Sequence, residues 1–388
     1  MNKSLILTIG LLALGHQHAS AANETNAEVS HLAEQAAFTY QNPISKGIDP
    51  KGLRDCHVFR DRGRWYMTGT AWPHWPRQEV NGNLNPGIVL YSSDTLTEWK
   101  FEKFILAHGG PDNWYHLRFW APEIHVIGGK YYALFNASNP ELGYPGQHTG
   151  YAVADSLMGP YRVVTEAKPL CKGNDLTFFK DDDGKVWAFW NGDREFGIGF
   201  APIDLEKGEF LTEPTTAILP AKVDMAFDGK GEPVMNKGYD GRPVQKIAKS
   251  YDWDSIGIEG ACVIKRDGIY HLFYSSWTRG YEIGTATARS ITGPWIKSAN
   301  NPIYGSQSKT ACEKVGIRFT GDPDAPFKGV GHNQVFTGPD CRLWLSCHGV
   351  LKSAKDRPML VIDPIQFDSK GMLIRATPSH LPQKINGL

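Results

Sequence analysis

Apolar positions along this chain alternate with a period of two, in short runs broken by Gly, Asp and Pro. The 3.6-residue period of an amphipathic helix is almost absent, so the pattern predicts strands and hairpins. The clearest runs come in pairs. DCHVFRDRGRWYMTGT opens at Asp55, EIHVIGGKYYALFNAS at Glu123, DLTFFKDDDGKVWAFW at Asp175, EGACVIKRDGIYHLFYSS at Glu259 and HNQVFTGPDCRLWLSCHG at His332. Each reads as an apolar strand, a turn, and a strand rich in aromatics. A hairpin that recurs five times predicts an all-β, five-bladed β-propeller, each copy forming half of a four-stranded blade. If the copies sit alike in their blades, the five leading polar residues converge near the central axis.

Weaker hairpins follow the strong ones at 87–101, 149–163, 197–211 and 283–297, with a fainter fifth at 359–373. They supply the outer halves of the blades. The longest step between copies, from Gly184 to Gly268, holds an insertion at 212–257 rich in Gly, Pro and Asp. From Gly47 onward no linker interrupts the strand signals, so 46–388 is expected to be one propeller domain. Residues 23–45 are polar and Ala-rich and read as a leader into it. Residues 1–22 have a positive Lys3, an apolar stretch Leu5–Leu14 too short to span a bilayer, and small residues at Ala19–Ala21. That layout is a cleavable signal peptide and implies export to the periplasm or the medium.

Formal net charge is zero, from 41 basic and 41 acidic residues. A nucleic-acid or acidic-membrane partner would call for a basic face, and neither is expected. Six cysteines in 388 residues do not form a disulfide framework, and no metal-binding spacing is present. Cys56 and Cys262 read as small buried hydrophobes. Aromatic content is 12%, part strand packing and part candidate platforms for an uncharged sugar.

A single carboxylate ahead of a strand is ordinarily a turn residue. Asp55, Asp175 and Glu259 hold corresponding places in their repeats, and in a propeller that place is the axial end of the innermost strand. Three enclosed acids cannot all keep ordinary pKa values, because burial and like charge push some upward. One raised and one ordinary carboxyl is what acid/base cleavage of a glycosidic bond requires.

Five segments carry a family resemblance. They are YQNPISKGIDPKGLRDCHVFRDRGRWYMTGT, RFWAPEIHVIGGKYYALFNAS, GNDLTFFKDDDGKVWAFW, IEGACVIKRDGIYHLFYSS and GHNQVFTGPDCRLWLSCHG. In that order they resemble the blades of glycoside hydrolase family 43, over nearly all of 42–350. The resemblance implies an inverting glycosidase. Asp55 matches its general base, Asp175 the acid that tunes pKa and orients, and Glu259 the general acid. His332 matches the axial histidine, which in some members sits by a metal ion or water; no cofactor is otherwise required. The sequence departs from the family at Cys56, Leu176 and Ala261, where proline is frequent, and Asp49-Pro50 competes with Asp55 as the base. Asp55 is preferred for its spacing to the Trp65-Tyr66 strand.

The expected function is hydrolysis of α-L-arabinofuranosides or β-D-xylosides in plant or algal oligosaccharides or polysaccharides. A related propeller glycosidase acting on galacto-configured sugars and a non-catalytic sugar-binding propeller are the alternatives. Trp72, His74 and Trp75 follow the first inner hairpin and are candidates for stacking on a sugar, with local packing an equal reading. Trp120, Arg279 and His332 complete the candidate substrate-binding set. Glu123 and the Asp181-Asp182-Asp183-Gly184 turn read as structural.

Overall fold

A computed structural model describes residues 37–75, 84–238 and 243–385. The signal segment 1–22 lies outside them. Residues Gln41–Pro382 form one compact unit, and a separate pairing joins Phe38–Tyr40 to Gln383–Ile385.

The compact unit contains the five expected blades. Blade 1 is the antiparallel meander Arg54–Asp61, Arg64–Thr70, Gly87–Ser93 and Lys100–Ala107. Blades 2, 3 and 4 begin with inner strands Leu117–Ile127, Asn174–Lys180 and Glu259–Arg266. In each of them the outer position is shared by two short strands. Blade 5 has only three strands, Phe327–Thr337, Leu343–Leu351 and Pro358–Pro364. Its fourth place is taken from the other end of the unit: Ile44 N–H donates to Leu360 O at 2.8 Å, and the Asn42 amide bonds both N–H and C=O of Ile362. The leader expected at 23–45 lies outside the described residues up to 36, and from Gln41 onward it closes the ring. The faint 359–373 hairpin is reduced to a bridge between Phe367 and Leu373.

Both faces of each blade are covered by its neighbours, which explains near-continuous apolar strands such as YYALFNA. Tyr131, Ala133 and Phe135 pack toward blade 1, while the intervening Tyr132 and Leu134 pack toward blade 3. The period of two thus sorts one strand between two interfaces. The insertion forms two small two-stranded pairings, Val223–Met225 with Ile247–Ser250 and Met235–Lys237 with Pro243–Gln245. The one α-helix among the described residues, Lys309–Lys314, is capped by Ser308. No helix there is long and apolar enough to cross a membrane.

Every inner strand carries a bulge at the same place. Pairing skips two residues after Arg54, Trp120, Asn174, Glu259 and Gly331. The first skipped residue has a left-handed backbone each time: Asp55, Ala121, Asp175, Gly260 and His332, with φ between 42° and 64°. Non-glycine residues pay for that conformation, so it persists only where the surroundings hold it. Side chains from the preceding blade do so. Asp55 N–H donates to His348 Nδ1 at 3.0 Å, Ala121 N–H to Thr70 Oγ1 at 2.7 Å, Asp175 N–H to Asn136 Oδ1 at 2.9 Å, and His332 N–H to Ser275 Oγ at 3.0 Å. In blade 4 the acceptor for Gly260 N–H is Asp175 itself, at 3.0 Å.

Candidate active site

The bulges aim their side chains at the axis, at the mouth of a cavity of about 590 Å³ lined by Asp55, Glu259 and His332. Register corrects one expectation. Asp55, Asp175 and His332 are true equivalents, but Glu259 stands one residue earlier, before the bulge, and Glu123 two residues later. In blade 4 the bulge position is Gly260, and the carboxylate is displaced by one residue toward the open cavity. Glu123 lies farther along the axis, accepting from His125 Nε2 at 2.7 Å and from Gln334. It is structural, as read.

The three acids surround one imidazole nitrogen. His332 Nδ1 is 3.4 Å from Asp55 Oδ1, 3.9 Å from Asp175 Oδ2 and 3.9 Å from Glu259 Oε1. The first and last of these distances bring the Asp55 and Glu259 carboxylates to one nitrogen, within reach of a single bound sugar. Asp175 sits beside Glu259, with donor atoms inside 4.8 Å.

The environment pushes these groups apart. Burial alone would raise the Asp55 carboxyl, but the charge on His332, with Arg54 behind it, holds it well below the usual carboxylate range. His348 contributes less than its position suggests: its Nδ1 already accepts Asp55 N–H, so its approach to Oδ1 at 3.3 Å is no hydrogen bond. Thr70 Oγ1 donates to Asp55 Oδ2 at 2.6 Å. Asp175 goes the other way, raised by burial and by the neighbouring Glu259 and Asp55 against the pull of His332. His332 would be lowered by burial, but the carboxylates raise it to about 10.

Asp175, Glu259 and His332 are also the one group among the described residues with metal-ligand proximity. The nitrogen facing those acids is the one whose basicity they raise. One imidazole nitrogen and two carboxylates offer three donors there, and a cation would take that nitrogen only once its proton is lost.

The other candidates divide. His74, Trp75 and Trp120 line the cavity, the two indoles meeting edge to face at 5.7 Å between centroids. Burial lowers His74 to about 4, and its Nε2 lies 3.2 Å from Gly52 O. Trp72 does not line the cavity; Lys51 Nζ lies 3.5 Å over its ring. Nor does Arg279, whose guanidinium is committed to both oxygens of Glu282 at 2.9 Å in a neighbouring groove. Asp49 is exposed in a turn, its Oδ1 accepting Lys51 N–H. The Asp181–Gly184 run is a hairpin turn, and all six cysteines are free, with Cys56 and Cys262 buried.

Sequence reasoning missed four residues. Tyr281 donates its hydroxyl to Glu259 Oε1. Asn136 donates to Asp175 Oδ1 at 3.0 Å. Trp277 and Arg54 line the cavity. Thr70, Asn136, Asn191, Ser275 and His348 lie on the second strands of the five hairpins, each paired with the residue before the bulge. A polar residue at that place in five aromatic strands was a visible signal.

Comparison with known proteins agrees with this geometry. The sequence profile described as "Glycosyl hydrolases family 43" matches residues 40–373. The chain is 26% identical to an "Extracellular exo-alpha-(1->5)-L-arabinofuranosidase" of Streptomyces chartreusis, over 81% of this chain and 83% of that one. It is 25% identical to "Beta-D-galactofuranosidase xynD" of Aspergillus niger over 66% of its own length, and spans 64% of that enzyme. Among solved structures, a thermostable family-43 glycoside hydrolase superposes with a TM-score of 0.65 at 24% identity, covering 90% of this chain and 99% of the other. An α-L-arabinofuranosidase from Lactobacillus brevis gives 0.61 at 19% identity, over 88% and 98%. At those identities the superpositions speak for the fold, and the profile match over most of the chain decides the family. The chain belongs to glycosyl hydrolase family 43.

Proposed function

We propose that the protein hydrolyses α-L-arabinofuranosides or β-D-xylosides of oligo- or polysaccharides with inversion at the anomeric carbon. The observation that carries this reading is the convergence of three acids from blades 1, 3 and 4 on His332 Nδ1, with Asp55 pushed down and Asp175 pushed up. Asp55, ionised well into the acid range, takes a proton from water as the water oxygen bonds the anomeric carbon. The bond to the leaving oxygen breaks as Glu259 delivers its proton there. Tyr281 occupies Oε1 of Glu259, which leaves Oε2 for that proton. Asp175 anchors the site through Asn136 and Gly260 N–H and stands beside Glu259. The imidazolium of His332 takes the central place among the acids, and the chemistry runs on these side chains without a cofactor. Trp75, Trp120 and His74 contact the sugar. Residues 1–22 direct export, in keeping with the extracellular relative in Streptomyces chartreusis.

Proton NMR of the first-formed sugar tests the mechanism. An α-L-arabinofuranoside should release the β-anomer, and a β-D-xyloside the α-anomer, before mutarotation. Net retention would require a covalent intermediate and overturn the roles of Asp55 and Glu259.

Gly331 offers a second test. A Cβ there would come within 2.7 Å of the Tyr281 ring. Gly331→Ala should displace that ring from Glu259 and lower kcat by up to about 10²-fold, the scale of a misplaced catalytic group. Overpacking against a buried ring should also lower the variant's unfolding midpoint. Unchanged kcat would show that the Tyr281 contact is dispensable.

A further inference from the structure

The residue before each bulge forms a second ring at the cavity end of the inner strands. Arg54, Trp120, Asn174 and Glu259 occupy it in blades 1 to 4, and all four line the cavity. Blade 5 has Gly331 there, and Tyr281 fills the space that a side chain would take. Arg54 is thus the register mate of Glu259, flanking the reacting centre from blade 1.

Its surroundings are unusual for an arginine. The guanidinium carbon lies 4.6 Å over the Trp75 ring, a cation–π contact that restrains the group. Among the described residues, no carboxylate or carbonyl accepts from its side chain. None of its five permanently charged N–H donors is taken by an acceptor among the described residues. A planar fork held against an aromatic face suits two oxygens side by side, where a lysine's point charge does not.

We propose that Arg54 is a specificity-determining residue: its fork donates to two oxygens on neighbouring carbons of the sugar whose bond is cleaved. The ligand class is a glycone with a free vicinal pair of hydroxyls. This rests on the hydrolase reading above. It is distinct from the effect of Arg54 on Asp55, which is one of charge and which lysine would largely keep.

The test begins with aryl α-L-arabinofuranoside, β-D-xyloside and β-D-galactofuranoside. On the best of these, Arg54→Lys should lose about 10- to 100-fold in kcat/KM, the scale of one or two charge-assisted hydrogen bonds. The acid limb of its pH profile should stay close to wild type. On monodeoxy versions of the same glycoside, wild type should lose a comparable factor at one hydroxyl position. Arg54→Lys should lose little more at that position, since the partner is already gone. Additive losses, or an Arg54→Lys enzyme altered only in its acid limb, would overturn the proposal and leave the hydrolase reading standing. A wild type that cleaves none of the glycosides would overturn both.

Discussion

Glu259→Gln should retain much of its activity on a glycoside of dinitrophenol and lose most of it on one with an alkyl leaving group. Asp55→Asn should be inactive on both. Glu259 is assigned the proton for the departing oxygen, and a good leaving group departs without that proton. Asp55 is assigned the activation of water, which every substrate needs. General acid/base assistance is worth roughly 10²–10⁴-fold, so the contrast between the two variants is large. Both substitutions keep the side-chain volume. Asn at position 55 can still accept from Thr70 Oγ1, so the ring of bulge contacts is preserved. Equal losses for Glu259→Gln on good and poor leaving groups, in a folded protein, would mean that Glu259 is not the acid.

The folded protein should be acid-labile, with its unfolding midpoint dropping steeply between pH 6 and pH 4. Burial pushes four imidazoles, His57, His74, His271 and His348, down to about 4. In the unfolded chain each titrates near 6.5, so between those values the unfolded state binds more protons and stability falls as pH falls. At about 1.4 kcal/mol per pH unit, each imidazole costs about 3 kcal/mol by pH 4. The four together reach the order of 10 kcal/mol, comparable to the whole stability of a typical domain. Asp175, held high by burial, takes up its proton first in the folded state and so offsets part of this loss as pH falls, whereas His332 does not. The raised pKa of His332 gives a contribution complete below pH 6.5 and lost as pH rises toward 10. Asp55, held low, loses its contribution only in stronger acid. Thermal unfolding followed at pH 7, 5 and 4 measures the slope. His271→Phe, at a ring that packs edge to face on Phe367, should make it shallower. A flat profile would mean that these imidazoles take up protons without unfolding.

The hairpins were legible because their signals are local: alternating apolar positions, a Gly or Asp turn, and an aromatic return strand within twenty residues. The acids were legible because they open those hairpins. The offset of Glu259 was not, since a bulge inserts residues that break the period of two and nothing in EGACVIKRDG marks which residue is the extra one. Tyr281 and Arg54 were hidden for a different reason. Tyr281 comes from the third strand of its blade and reaches Glu259 only because Gly331, fifty residues on, leaves room. Arg54 immediately precedes the conspicuous Asp55 and reads as a solvated flank until Trp75 folds against it. The closing strap at Asn42 and Ile44 is a contact across more than three hundred residues, which no local pattern records.

The bond that fixes each bulge uses a backbone N–H, a group that every residue but proline carries. Except at Asp175, whose carboxylate holds the next bulge at Gly260, the side chain at the bulge is therefore a passenger on a position secured by its neighbour. Aspartate, alanine, aspartate, glycine and histidine occupy five equivalent berths, and four of them are held in the same way by the blade before. Such a ring behaves like a revolver cylinder with interchangeable chambers. Chemistry can be loaded, removed or moved one blade at a time while the frame keeps its shape. Ala121 is the empty chamber. A carboxylate or imidazole introduced there would enter the axial site with its main chain already in place.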